Sequence, residues 1–297
     1  MQSTQRRRPG FTVVELLVVV SIIAVLAALG AGAYIRLAAN ARKKFTEDTI
    51  ARLASQLQTQ VAAVADRANT EPVPPAVLAA AGNDPVRARA IYVKMRLKQE
   101  FPQSFAEARA GVPGFLPPLP GYVTQIAGKS GTPEEESAVM LMLSLSRMRS
   151  GLAAFDPTQH ISAAAMRDIP IGGVSMKVFV DGFGNPIVFT RWPGAWAGDA
   201  SLAAEMNTIT RRPADKRDPS DPEGRLNGFN LGPLAPALAP YRAPVGGDSR
   251  NLMPVIWSPG PDGKYGVSVE DLTTVNEPDG RDNIYSFRLR KDGQRGD

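Results

Sequence analysis

The chain of 297 residues has no cysteine and one histidine, His160. The absence of thiols excludes disulfides, zinc–thiolate sites and thiolate catalysis. A single histidine also excludes a multi-histidine metal site. The lack of cysteine does not fix the compartment, because exported proteins can also lack it.

The chain has little net charge once its amino-terminal arginines are left out. The formal net charge is +5, and Arg6, Arg7 and Arg8 supply three of these charges. No basic stripe interleaved with aromatic residues follows. A general binder of nucleic acid needs a much larger positive excess, so we expect no nucleic-acid partner.

Catalytic motifs are also missing from the sequence. It contains no nucleophile elbow, metal triad or dinucleotide-binding glycine loop. The triplet Gly128-Lys129-Ser130 lacks the earlier glycine of a P-loop, because Val123 occupies that position. His160 stands beside an alanine run without a motif, which is typical of a surface or helix-cap histidine. We therefore expect no enzyme, and an anchored periplasmic enzyme that uses paired carboxylates is the weaker alternative.

One long apolar run is present, and it contains a single charge. Between Phe11 and Ile35 only Glu15 is charged. As a helix this segment is about 37 Å long, enough to cross a hydrocarbon core of about 30 Å. The arginines before it favour a cytoplasmic amino terminus and an exported remainder. A signal anchor, or a signal peptide cut after Ala31-Gly32-Ala33, fits the run but leaves Glu15 unexplained.

The order of basic leader, Gly10, Phe11, Glu15 and apolar run resembles the class III signal peptide of type IV pilins and pseudopilins. The resemblance implies that a prepilin peptidase cuts between Gly10 and Phe11 on the cytoplasmic side. Phe11 then becomes the normally N-methylated terminus, and the apolar helix stays on the mature protein. The new amine of one subunit can then pair with Glu15 of its neighbour during assembly, which offsets part of the cost of burying both charges.

The rest of the chain predicts an α+β fold. An apolar stripe from Leu37 to Val64 continues the first helix to about Ala68, like the spine helix of pilins. Helix starts at Asp84-Pro85, Ser104 and Thr132-Pro133 predict a mainly helical insertion. Strands are expected at Val174–Val180, Ile187–Trp192, Met253–Trp257 and Ile284–Leu289, the first two forming a hairpin, with a long, partly mobile surface loop at 208–250. The expected regions are a leader (1–10), a transmembrane segment (11–35), an amphipathic helix (36–70), the insertion (71–175) and an antiparallel sheet with long loops (176–297).

Two tail segments resemble the major pseudopilins of type II secretion. They are DGFGNPIVFTRWPG, where Phe183 replaces the family's usual tryptophan, and IWSPGPDGKYG followed by EPDGRDNIYSF. The resemblance implies a Ca²⁺ site in the acidic loop between Gly260 and Asp282, with Asp262 and Asp282 as ligands. Six acids in this loop match the oxygen ligands that Ca²⁺ prefers. The alternative is a solvated acidic loop without metal.

The resemblance implies a structural subunit of a type II secretion pseudopilus or a related type IV pilus-like filament. Its expected partners are prepilin peptidase, like subunits or other pseudopilins, and an inner-membrane assembly platform. We expect a single-pass inner-membrane protein with its carboxyl-terminal head outside the cytoplasm. The alternative is a minor, tip or membrane-retained pilin-like protein whose insertion binds a partner or cargo. The minor type with a large inserted domain usually lacks an acid at the position of Glu15.

Overall fold

The computed structural model describes residues 13–149, 155–193, 220–221, 223–226, 228–241, 254–272 and 276–289. The helices are α1 Val13–Thr70, α2 Pro75–Ala80, α3 Pro85–Glu100, α4 Phe105–Ala110, α5 Pro120–Gln125, α6 Pro133–Ser146, α7 Pro157–His160 and α8 Ala235–Leu238. The strands are β1 Met166–Ile171, β2 Val174–Phe179, β3 Val188–Thr190, β4 Val255–Ser258 and β5 Ile284–Tyr285. The chain divides into two units, Met1–Lys44 and Phe45–Asp297. This layout is the expected pilin-like α+β arrangement.

Helix α1 confirms the predicted spine helix. No proline interrupts it, and Glu71-Pro72 follows its last turn. In the second unit one face of α1 is buried, along Thr46, Thr49, Ile50, Leu53, Ala54, Leu57, Gln60, Val64, Ala65 and Ala68. The predicted start of the buried stripe at Leu37 is wrong, because Leu37 and Ala41 are exposed. Both residues belong to the first unit, and burial begins only at Thr46.

The helical insertion forms where its capping signals predict. The Asp84 carboxylate accepts hydrogen bonds from the backbone N–H groups of Val86 and Arg87 at the start of α3. Ser104 caps α4 in the same way, and Thr132 forms a complete capping box with Glu135 on α6. These side chains satisfy backbone donors that have no partner inside the helix.

Helix α6 buries the apolar face that its spacing predicts, with one exception. Ala138, Leu141, Met142 and Leu145 are buried, but Met148 is 80% exposed. The helix ends at Ser146, and Arg147 is extended with a ψ of 127°. The apolar spacing of the sequence also predicts that Met148 is buried on this face, which is wrong because the helical period does not reach it.

Two small antiparallel sheets make up the β structure. Strands β1 and β2 pair in a hairpin whose last partners are Ile171 and Val174. Gly172 and Gly173, both with positive φ, form its turn. The second sheet has the order β3-β4-β5. Strand β1 lies inside the region expected to be mainly helical, and no strand was predicted there.

The predicted hairpin between 174–180 and 187–192 forms only at its base. Val180 and Pro186 make an isolated bridge, and the Ile187 N–H donates to the Phe179 carbonyl at 2.9 Å. Beyond that point the strands belong to different sheets, because β2 pairs with β1 and β3 pairs with β4. The last predicted strand is also shorter, since β5 gives way to a 3-10 helix at Ser286–Leu289.

The described part of the predicted surface loop at 208–250 packs into the core. Leu226, Leu234 and Leu238 are fully buried. The Lys98 ammonium on α3 donates a 2.7 Å hydrogen bond to the Ala239 carbonyl. The prediction of a surface loop is therefore wrong for this part, because the apolar residues between its prolines and glycines pack on α3. The expected mobility of the remaining residues lies outside the described part of the chain.

Candidate functional site

The first unit exposes a long apolar surface on α1. Large apolar side chains between Val13 and Leu37 are exposed, from 45% at Val19 to 81% at Val13. Within the described residues, α1 is the one helix whose length and composition would allow it to cross a membrane. A helix that is apolar on all sides is stable only when lipid or other protein covers it. The surface is consistent with membrane anchoring.

Glu15 lies in the first turn of the described helix, on the exposed apolar surface. The amino-terminal end of a helix carries a partial positive charge, which favours a carboxylate there. The predicted processing residues, Gly10 and Phe11, lie outside the described residues, as do the leader arginines Arg6, Arg7 and Arg8. The structure therefore places Glu15 on the helix, and its distance from the predicted cleavage position is known from the sequence alone.

The DGFGNP segment folds around the buried carboxylate of Asp181. This carboxylate accepts hydrogen bonds from the Phe183 N–H at 2.9 Å, the Asn185 N–H at 2.8 Å and the Ser258 hydroxyl at 2.6 Å. The first two bonds close the loop, and the third joins it to β4. A short polar side chain at this position is therefore needed to shape the loop.

The same loop contacts three other parts of the second unit. The Gly182 N–H donates to the Thr46 hydroxyl on α1 at 2.9 Å. The Asn185 amide donates to the Gly260 carbonyl at 2.8 Å, and the Tyr265 hydroxyl donates to the Pro186 carbonyl at 2.8 Å. The DGFGNP segment thus connects the spine helix, the sheet and the acidic loop.

The two predicted calcium ligands lie close together in the acidic loop. The Asp262 N–H donates to the Asp282 carboxylate at 3.3 Å. Asp279 is engaged elsewhere, because it pairs with the Lys264 ammonium at 3.2 Å and accepts a hydrogen bond from Asn276. Among the described residues no group of three acidic or histidine side chains is arranged to hold a metal. Two carboxylates fall short of the six to eight oxygens that Ca²⁺ takes, so calcium binding stays a prediction.

Buried ion pairs in the second unit were not predicted from the sequence. Arg191 forms a two-pronged pair with Glu107, with nitrogen–oxygen distances of 2.9 and 3.0 Å, and its side chain is 1% exposed. Burial raises the pKa of Glu107, but the charge and hydrogen bonds of Arg191 and the charge of Lys98 outweigh it and hold that pKa below its ordinary value. The pair joins α4 to the chain just after β3.

A second polar cluster joins α1 to α3 and α6. The Gln60 amide on α1 donates to the Leu145 carbonyl at 2.9 Å, and Arg149 donates to the Gln60 carbonyl oxygen. Arg149 also approaches the Glu100 carboxylate at 3.4 Å. These contacts connect the helical insertion to the spine helix, and no local motif in the sequence marks them.

The amino-terminal residues match a known family model. The prokaryotic N-terminal methylation motif matches residues 5–31, which include Gly10, Phe11 and Glu15. This match supports a pilin- or pseudopilin-type precursor, and the long apolar helix and the small antiparallel sheets are consistent with a type IV pilin-like layout. The motif implies processing by prepilin peptidase and assembly with similar pilins. Searches of curated proteins and of solved structures gave no match.

Proposed function

We propose that this protein is a structural subunit of a type II secretion pseudopilus or a closely related type IV pilus-like filament. The observation that carries the proposal is the exposed apolar part of α1, which has Glu15 as its one acid and overlaps the methylation motif matched at residues 5–31. In a filament the apolar surfaces of neighbouring helices cover one another. Their contact replaces the lipid that covers the helix before assembly.

Glu15 makes this packing specific. Cleavage after Gly10 creates an amine on Phe11, about 6 Å along a helix from Glu15. The amine of one subunit meets the carboxylate of the next, and the pair sets the axial register of the contact. A wrongly placed neighbour leaves both charges uncompensated in an apolar environment, which costs several kcal/mol.

The proposed orientation has a cytoplasmic amino terminus in the inner membrane. Three arginines precede the apolar run, whereas Arg36, Arg42, Lys43 and Lys44 follow it. The cations after the run therefore offset the preference that the three arginines alone would give. The proposed orientation is supported by the cleavage motif, because prepilin peptidase cuts on the cytoplasmic side. The head then lies outside the cytoplasm, and the assembly platform in the inner membrane is the proposed partner during filament growth.

A minor, tip or membrane-retained role is the second candidate. It is favoured by the size of the insertion, which adds α2 to α7 to the head. Shearing filaments from cells that carry a tagged chromosomal copy separates the two roles. A major subunit outnumbers every other pilin-like protein in the sheared fraction, and a tip protein is scarce there. Absence from the filament fraction in a strain that makes filaments contradicts the main proposal.

We also propose a non-enzymatic role, because the sequence carries no catalytic motif. His160, the one histidine, is exposed at the end of α7, and its ring stacks on Phe155 with the ring centroids 5.3 Å apart. This arrangement supports the surface role expected for it.

Calcium binding by the acidic loop is a further proposal that can be tested directly. If Asp262 and Asp282 bind Ca²⁺ with nearby backbone carbonyls, millimolar Ca²⁺ should raise the melting temperature of the purified full chain in detergent by several degrees. Asp262→Asn together with Asp282→Asn should abolish that rise, and Asp66→Asn on the exposed face of α1 serves as the control. An unchanged melting temperature and no heat of binding in calorimetry would argue against calcium.

A further inference from the structure

The apolar part of α1 is followed by a cluster of basic residues. Arg36, Arg42, Lys43 and Lys44 are exposed and lie in the first unit; we call them the basic collar. Arg36, Lys43 and Lys44 share one face of the helix, because residues seven and eight positions apart lie close together around it. Glu47 and Asp48 follow in the sequence but leave residues 36–48 with a positive excess.

The position of the collar along the helix matches the thickness of a bilayer. Glu15 and Arg36 are separated by about 31 Å of helix, close to the roughly 30 Å of a hydrocarbon core. No charged residue stands between them. When Arg36 lies at one boundary of the core, Glu15 therefore lies at the other boundary and is not at the centre of the bilayer.

The rest of the collar falls in the headgroup region. Arg42, Lys43 and Lys44 lie about 9–12 Å beyond Arg36 along the helix, and long basic side chains bend back toward the lipid surface. Tyr34, which is 72% exposed, stands just before the collar, where aromatic side chains favour the membrane interface. A basic surface at this depth is complementary in charge to phosphate headgroups.

We propose that the basic collar binds the headgroups of anionic phospholipids in the outer leaflet and fixes the depth of the helix before assembly. This inference rests on the membrane insertion in the proposed function. With the collar held at one interface, Glu15 remains at the opposite one, where it is hydrated. Moving a subunit outward breaks the collar contacts and draws Glu15 into the core. The amine of a neighbouring processed subunit offsets the free-energy cost of burying Glu15. Moving a subunit out of the membrane is therefore favourable only beside a processed subunit.

The absence of cysteine makes a direct test simple. Leu37→Cys in the full chain carries a fluorophore next to the collar, in vesicles that contain spin-labelled phosphatidylglycerol or spin-labelled phosphatidylcholine. Each cation near an anionic surface is worth about fivefold in binding. We expect at least a fivefold preference for phosphatidylglycerol at low salt, reduced at high salt by screening.

Two variants that each lose three cations test whether the basic collar causes the preference for phosphatidylglycerol. Arg36→Gln, Lys43→Gln and Lys44→Gln together should remove most of the preference and leave only what Arg42 supports. The control removes three exposed cations of the second unit, Arg52, Arg167 and Lys177, each replaced by glutamine, and should keep the preference. A ratio near one in the unaltered chain, or an unchanged ratio in the collar variant, would overturn the proposal. If the collar variant keeps its lipid preference but forms few filaments, the collar binds acidic groups of a neighbouring subunit and not lipid.

Insertion is measured separately, by resistance of the vesicle-bound chain to carbonate extraction. A chain that inserts but shows no lipid preference contradicts the collar proposal alone. A chain that does not insert into vesicles of either composition contradicts membrane insertion, and with it both proposals.

Discussion

Cells that express Glu15→Leu should process the precursor normally but incorporate almost none of it into filaments. Leucine keeps the apolar surface of α1 and removes the one carboxylate that can meet a neighbour's amine. The leader and the Gly10–Phe11 bond are unchanged, so cleavage should proceed as before. An unpaired charge buried at a subunit contact costs several kcal/mol, and even 3 kcal/mol per subunit lowers incorporation by about two orders of magnitude. The measurement is the amount of processed subunit in the sheared filament fraction relative to that in the membrane.

Three other substitutions test whether the charge of Glu15 directs assembly. Glu15→Asp keeps a carboxylate and should retain part of the incorporation, whereas Glu15→Gln should behave like the leucine variant. Asp66→Asn removes an exposed acid elsewhere on the same helix and should have no effect. Normal incorporation of Glu15→Leu would show that the acid does not direct assembly.

Replacing Arg191 by methionine should destabilise the second unit by about 3–5 kcal/mol, because Glu107 would be left without its closest counter-charge in a mostly buried site. The Glu107 side chain is 17% exposed, and its remaining protein partners are the Gln103 N–H at 2.8 Å and the Lys98 ammonium at 3.7 Å. Chemical unfolding of the purified full chain in detergent, followed by tryptophan fluorescence, measures the loss. Trp192 and Trp257 are buried in the second unit and report on its unfolding.

The double variant Glu107→Gln with Arg191→Met distinguishes a lost ion pair from lost packing. Removing both charges should recover a large part of the stability, since no uncompensated carboxylate remains. Arg167→Met, an exposed substitution on β1, is the control and should change stability by less than about 0.5 kcal/mol. If the double variant is as unstable as Arg191→Met, packing of the arginine and not its charge holds this region together.

The Glu107–Arg191 pair determines the direction in which the stability of the chain changes with pH. The pKa of Glu107 is below its ordinary value of 4.5 in the folded chain, so the folded state releases this proton more readily than the unfolded state. Its contribution to stability is complete above pH 4.5 and declines as the pH falls through the lowered value. The unaltered chain should therefore lose stability in acid more steeply than Glu107→Gln.

Features that depend on neighbouring residues in the sequence were predictable. Asp84, Ser104 and Thr132 cap helices because each stands directly before a helix start, and the spine helix follows from an uninterrupted run without proline. Glu15 is predicted from its spacing after Gly10 and Phe11, and all three residues lie within the stretch that the methylation motif matches. Strand β1 was missed although Gly172-Gly173 marks its turn, because Arg167, Asp168 and Pro170 interrupt the apolar alternation.

Features that depend on distant residues were not predictable in the same way. Glu107 and Arg191 are 84 positions apart, and nothing near either residue identifies the other. The DGFGNP segment is identified by its resemblance to the major pseudopilins, but its contacts with Thr46 and Ser258 depend on how the second unit folds. The many prolines and glycines of residues 208–250 predict a surface loop, because the apolar residues between them that pack on α3 follow no regular period.

The mass of the mature chain tests the central claim most directly. The protein purified from the membrane of its own host is measured intact, and its amino-terminal peptide is then sequenced by tandem mass spectrometry. Processing as a prepilin predicts a chain that starts at Phe11 and carries one methyl group on its terminal amine. An intact amino terminus at Met1, or a chain that starts near Tyr34, would contradict the account, because Glu15 would then have no neighbouring amine to meet.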